Sequence, residues 1–160
     1  MANSDPAFLF YSKDWLTSDT VEMSARDRGV YINFLAYQHI NGSLPIAMEK
    51  LEKIALMDKG DGKFSNAWDG IKHKFITKNN RLVNQRLVMV MDERIIHAKK
   101  NRISGIFATL IRQCKHKSLI PDIKKSFKVD DYMNIEKEEL TERITKWFTT
   151  TVDRLLKMEM

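Results

Sequence analysis

The sequence predicts a mainly α fold, and three observations carry that prediction. Apolar residues recur at three- and four-residue steps through most of the chain. Glycine and proline, six and three in number, are too few to interrupt those runs often. Only one segment has the short paired apolar stretches and the turn residues of a β-ribbon. At 160 residues, with 43% hydrophobic and 30% charged side chains, the chain has the balance of a folded protein with a buried core, organised as one compact domain with an appendage.

The elements follow in order. Residues 7–12, AFLFYS, are aromatic and short, which suits a strand or an extended arm laid on the core. Ser24 followed by Asp27 resembles a capping box, and from it Val30, Tyr31, Phe34, Leu35 and Ile40 keep helical spacing until Asn41-Gly42 ends the run. Leu44-Pro45 reads as a tight extended link into a second helix over 47–57, with Met48, Leu51, Ile54 and Ala55 facing inward. The KGDGK stretch at 59–63 lacks the spacing of a phosphate-binding loop and follows a helix, so it reads as an interhelical loop. Phe64, Ala67, Trp68, Ile71 and Phe75 then space a third short helix, whose polar face shows Lys63, Ser65, Asn66, Asp69, Lys72 and His73.

Next, Phe75-Ile76-Thr77 and Arg81-Leu82-Val83 flank Lys78-Asn79-Asn80. Asparagine tolerates the positive φ of tight hairpin turns, so this segment predicts a two-stranded ribbon with a basic tip. Helix, link, helix, helix and ribbon is the order of a winged helix, which the sequence places at residues 1–96. Residues 97–160 read as a helical extension. It continues a long basic helix that starts near Asn84, with Val88, Met91, Ile95, Ala98, Ile106 and Leu110 on one stripe and Gly105 as a candidate kink. A linker-like stretch runs from Ile120-Pro121 to about Asn134. An acidic amphipathic helix ends the chain, presenting Leu140, Ile144, Trp147, Phe148, Thr151 and Leu155. Near-heptad spacing of Leu140, Ile144, Trp147 and Leu155 leaves two uses for that stripe: packing back on its own winged helix, or pairing two chains as a homodimer.

Charge is distributed unevenly. Residues 1–70 carry seven Lys and Arg against ten Asp and Glu, net −3; residues 71–128 carry fifteen against three, net +12; residues 129–160 carry five against eight, net −3. A block of that density produces a local field able to hold a polyanion by counterion release. Nucleic acid is the leading partner, with an acidic protein or a membrane surface as the competitor. The candidate contacts are Lys63, Asn66, Lys72, His73, Lys74, Lys78, Arg81 and Arg86, continued by Lys99, Lys100 and Arg102 on the long helix. A plain solvated charged face is the alternative for all of them.

Catalytic and metal chemistry find little support. Asp14, Asp19 and Asp27 are irregularly spaced beside Arg26 and Arg28, and Arg28 is expected to pair with Asp14 rather than share a metal site. His39, His73, His97 and His116 form no zinc motif, and Cys114, the single cysteine, excludes an internal disulfide. No cofactor and no metal are expected. Neither a membrane-spanning run nor a signal peptide is readable, which points to the cytoplasm. Phe8, Phe10, Tyr11 and Trp15 offer rings for base stacking, while core packing is the ordinary use of Phe10 and Trp15.

Several ordered segments carry a resemblance: FLFYSKDWL, DTVEMSARDRGVYINFL, NGSLP, LEKIALM, Trp68 with Phe75, and NRLVNQRL. Over about residues 8–96 they are similar to the YdaU-like domain of phage and prophage replication proteins, whose pattern runs F-Y-x-x-D-W-L, D-T-x-x-L-S-x-x-E-R-G-x-Y, G-x-L-P and G-R-x-x-N-x-R-L. Met23 replaces the usual Leu, Asp27 the usual Glu, and Asn80 the usual Gly of the ribbon turn. The resemblance implies a non-catalytic replication-initiation or replisome-organiser module acting in the bacterial host, with duplex DNA as its partner. The other reading is a winged-helix adaptor that docks a helicase loader or a host replication factor.

Overall fold

The computed structural model describes residues 10–57 and 63–159, apart from the side chains of Asp14, Lys63 and Glu159. The architecture is mainly helical, with one two-stranded antiparallel sheet and further helices toward the C-terminus. Two compact units divide the chain, residues 1–92 and residues 93–160. Of the loop expected over 59–63, residues 59–62 lie outside the described residues, as do the arm residues 7–9 and the expected Asp14–Arg28 pairing, while Lys63 is already helical.

The first unit opens with α1 (Ser12–Thr17) and a 3-10 turn over Asp19–Val21. The extended arm expected to reach residue 12 therefore gives way to helix there, because the Trp15 amide already closes a turn on the Tyr11 carbonyl at 3.0 Å. Ser24 caps α2 (Ala25–Asn41), its hydroxyl accepting from the Asp27 amide at 3.1 Å. Gly42 ends α2 with φ of +79°, a left-handed conformation that favours glycine. Helix α3 (Met48–Ala55) follows, and Asn33 of α2 donates to the Ala55 carbonyl at 3.0 Å, satisfying one of its C-terminal acceptors. Leu51 and Ala55 are buried as predicted. Met48 is exposed, because it opens the first turn of α3 at the rim of the core.

Helix α4 (Lys63–Ile71) is shorter than the spacing predicted. A 3-10 turn over Lys72–Lys74 follows, and Phe75 leaves it in extended conformation while still buried. The tight turn returns Phe75 to the same core as Phe64, Ala67 and Ile71, which is why its spacing mimicked a continuing helix. Strands β1 (Ile76–Lys78) and β2 (Arg81–Val83) pair antiparallel, Lys78 opposite Arg81, and the two loop residues Asn79 and Asn80 have φ of +49° and +57°. That is the backbone a two-residue hairpin needs for its twist to match the strands. Leu82 also makes a single antiparallel bridge to Leu44, with N–H to O distances of 2.8 and 3.0 Å between donor and acceptor atoms.

Phe34 lies at the centre of this core, fully buried. It meets Phe64, Trp68 and Phe75 at ring-centroid distances of 6.4, 6.1 and 5.9 Å in edge or tilted geometry.

Helix α5 (Gln85–Gln113) begins in the first unit and continues into the second. Leu87 and Met91 pack on the core of the first unit and Ile103, Ile106 and Leu110 on that of the second, whereas Ile95 and Ala98 between them are exposed where a buried stripe was expected. The helix runs through Gly105 without interruption.

The expected linker over 120–134 is instead structured. A 3-10 turn (Lys117–Leu119) leads into α6 (Ile120–Ser126), then another turn (Val129–Tyr132) leads to α7 (Lys137–Glu159). Pro121 falls in the first turn of α6, where its missing N–H has no helical partner to lose, so it opens the helix rather than breaking it. Leu140 and Ile144 of α7 are 1% and 0% exposed, packed with Ile103 and Tyr132, while Phe148 is buried with Leu119 and Ile123. Phe107 stacks on Phe127 at 3.9 Å and 3°. Leu140, Ile144 and Phe148 of the α7 stripe are thus covered within their own unit, by residues of α5, α6 and the turns on either side of α6. Trp147 and Leu155 are half-buried at the edge of the same cores.

Candidate nucleic-acid interface

A buried polar node organises the strand-to-helix junction. Asn84 precedes α5 and caps it, its Oδ1 accepting from the Leu87 amide at 2.9 Å. Its Nδ2 donates to the Tyr31 hydroxyl at 3.1 Å and to the Lys74 carbonyl at 3.0 Å. Gln38 in α2 matches the Asn84 backbone on both sides: Asn84 N donates to Gln38 Oε1 at 2.7 Å and Gln38 Nε2 donates to the Asn84 carbonyl at 3.1 Å. Both side chains are buried, so the node holds the end of the ribbon, the Lys72–Lys74 turn and the start of α5 in one arrangement. Burial raises the Tyr31 hydroxyl above its ordinary pKa of 10.0, which keeps it a neutral partner for Asn84.

On this frame the predicted basic residues take different environments. Asn66 is exposed on α4, and Lys63 starts that helix with its side chain outside the description. Lys72 is exposed and donates to Asp69 at 2.7 Å. His73 and Lys74 both engage Asp19, His73 Nε2 at 3.2 Å and Lys74 in a close ion pair. That pair holds the Asp19 carboxyl below its ordinary 3.8, the hydrogen bond from Lys74 being the largest cause. Arg81 is laid along the α2–α3 link, donating from Nε to the Ser43 hydroxyl at 3.0 Å and from Nη2 to the Ser43 carbonyl at 3.2 Å. Lys78 stands exposed at the ribbon tip and Arg86 exposed in the first turn of α5. Lys72 and His73 were expected on the polar face of the third helix; they belong instead to the 3-10 turn beyond α4.

No family model, curated protein or solved structure matches the chain.

Lys99, Lys100 and Arg102 lie on the part of α5 within the second unit, with Lys99 half-buried and Lys100 3.4 Å from Asp130. Each ion pair formed by Lys72 and Lys100 is solvent-exposed, and such pairs contribute about 0–1 kcal/mol, so a phosphate can replace the carboxylate at little cost. Among the described residues no group of three or more His, Cys, Asp or Glu side chains is placed to hold a metal ion. Among them, too, no helix is long and apolar enough to cross a membrane.

Sequence reasoning missed a cleft of about 590 Å³ in the first unit, beside α1. Tyr11, Trp15 and Tyr31 line it together with Lys74, Asn84 and Arg86. Trp15 stacks on Tyr31 at 5.8 Å and 10°, and Phe10 tilts against Trp15 at 5.1 Å. The buried Thr20 hydroxyl donates to the Trp15 carbonyl at 2.5 Å and fixes α1 at this edge. One local signal existed, the asparagine just before a predicted helix. Nothing local announces that residues 11, 31 and 84 meet.

Proposed function

We propose that the chain is a non-catalytic DNA-binding module of winged-helix type that serves replication initiation or replisome organisation in a phage or other mobile element. The observation that carries this reading is the net charge of +12 confined to residues 71–128, with Lys72 and Lys78 exposed beside α4 and at the ribbon tip. The order α2, bridge at Leu44, α3, α4 and ribbon supports the winged-helix assignment, and the segments similar to the YdaU-like replication domain support the context. In this reading α4 enters the major groove and the ribbon contacts flanking phosphates, which position the module more than they specify a sequence.

The test is duplex binding by the chain carrying Lys72→Gln, Lys78→Gln and Arg81→Gln, measured over a range of salt. Each phosphate contact removed reduces the log–log salt slope by about 0.9. The expected result is weak binding and a shallower slope with an unchanged melting temperature. Native affinity and slope in the triple variant would rule out this surface.

An adaptor role for a helicase loader or host factor is the second reading, favoured by the exposed apolar side chains of Ile40, Ile46 and Met48 around the α2–α3 link. Salt-insensitive binding to a replication protein, with no affinity for DNA, distinguishes it.

A further inference from the structure

We propose that the cleft beside α1 receives an unpaired nucleotide of a nucleic-acid strand. The inference rests on the DNA-binding reading and deepens it, since it adds a site for a displaced or single strand to a module read as binding duplex. Three features of the cleft carry it.

The first is shape and size. A volume of about 590 Å³ lies within the range of about 300–1,000 Å³ usual for small-molecule sites, and suits a base with its sugar and phosphate. The second is the arrangement of rings. Phe10, Trp15 and Tyr31 form a graded series from solvent to core: Phe10 is 49% exposed, Trp15 half-buried and Tyr31 buried. Tyr11, 47% exposed, lines the same mouth and lacks a ring partner among the described residues. A buried aromatic floor with exposed rings at the entrance offers surfaces on which a flat ligand can stack, which is how single-strand binders hold bases without reading their identity.

The third is charge placed where a backbone would pass. Lys74, His73 and Arg86 line the cleft, and Asp19 holds Lys74 and His73 on one side of it. The Lys74 side chain is only 16% exposed, and the Asn84 carboxamide anchors its carbonyl, so its ammonium is presented by a fixed backbone. A purely apolar partner would leave the Lys74 ammonium and the Arg86 guanidinium beside a dry interface, at a desolvation cost. A lone small anion would leave the rings unused. A nucleotide employs both.

The experiment uses the full chain and two fluorescent probes, an oligothymidylate of about 12 nucleotides and a mixed-sequence duplex. Tyr11→Ala is expected to weaken oligothymidylate binding about tenfold, the scale of one lost base–aromatic stack, while leaving duplex affinity unchanged. Tyr11→Phe is expected to bind as the native chain does. Melting curves check that Tyr11→Ala folds, and Phe10→Ala, which also truncates an exposed ring, provides the second variant. Native oligothymidylate affinity in both alanine variants overturns the cleft assignment, as does a native chain that binds duplex and no single strand; the duplex reading then survives. Single-strand binding that Tyr11→Ala removes, without any duplex binding, supports the cleft and sinks the groove reading.

Discussion

At the scale of single residues, the buried Asn84 ties several parts of the first unit together. It caps α5, donates to Tyr31 and to the Lys74 carbonyl, and presents its backbone to Gln38. Asn84→Ala removes a helix cap worth about 0.5–2 kcal/mol. It also strands buried polar groups that cost about 1–3 kcal/mol when unpaired. The expected loss is therefore about 2–4 kcal/mol, seen as a lower denaturation midpoint at unchanged m-value. Asp19 makes a pH-dependent contribution. Because Lys74 depresses its pKa in the folded chain, the stabilisation is present above the unfolded value near 4 and is lost as pH falls through the folded one. Asp19→Asn removes that term, so the melting-temperature gap between native and variant should narrow as pH drops from about 6 to about 3. A constant gap would show that the pair adds nothing to stability. Tyr31 acts in the alkaline range: its raised pKa makes stability fall as pH rises past 10.

At the scale of elements, much was legible because it was written locally. Ser24, Gly42 and the Asn79-Asn80 pair each specify a backbone conformation by their own chemistry, and each marks a boundary where the sequence placed one. The basic block was equally legible as a run of charge. What it contacts was not: Asp19 reaches His73 and Lys74 across 54 and 55 residues, and Ser43 reaches Arg81 across 38. The segment 120–134 misled for a different reason, since Pro121 signals a break and also opens a helix, and Leu119, Ile123 and Tyr132 fall on two 3-10 turns and the short helix between them, which share no single period. Those turns form part of the cover for α7. Removing residues 135–160 exposes Ile103, Leu119, Ile123 and Tyr132 together, so the shortened chain should elute as aggregate in gel filtration. A soluble, cooperatively melting remainder would show that α7 is dispensable to its unit. Within the intact chain, Ile144→Ala should cost about 2–5 kcal/mol, read from denaturant unfolding.

At the scale of the whole molecule, each unit has its own hydrophobic interior. The first is built around Phe34, the second around Ile103, Ile144 and the Phe107–Phe127 stack. Among the described residues each core cluster lies within one unit, so damage to one should remain local. In Ile144→Ala, amide exchange should accelerate over residues 103–159 and stay at native rates in α2, α3 and α4. Acceleration throughout would mean that the units unfold as one. The charge pattern follows a different division, because the basic stretch 71–128 spans both units while net-acidic stretches flank it.

The bridge between Leu44 and Leu82 carries a consequence for how the ribbon meets a ligand. Leu82 commits both of its backbone groups to Leu44, and Arg81 beside it is tied to Ser43. Slipping the register by one residue would turn Leu82 out of the core and break those bonds together. A two-stranded hairpin is marginal by itself, yet this one is seamed to the α2–α3 link as though by a third strand. Its tip is therefore pre-shaped, and under the proposed DNA-binding reading a phosphate contact by Lys78 would order one side chain instead of a loop, sparing most of the entropy that a flexible arm would lose.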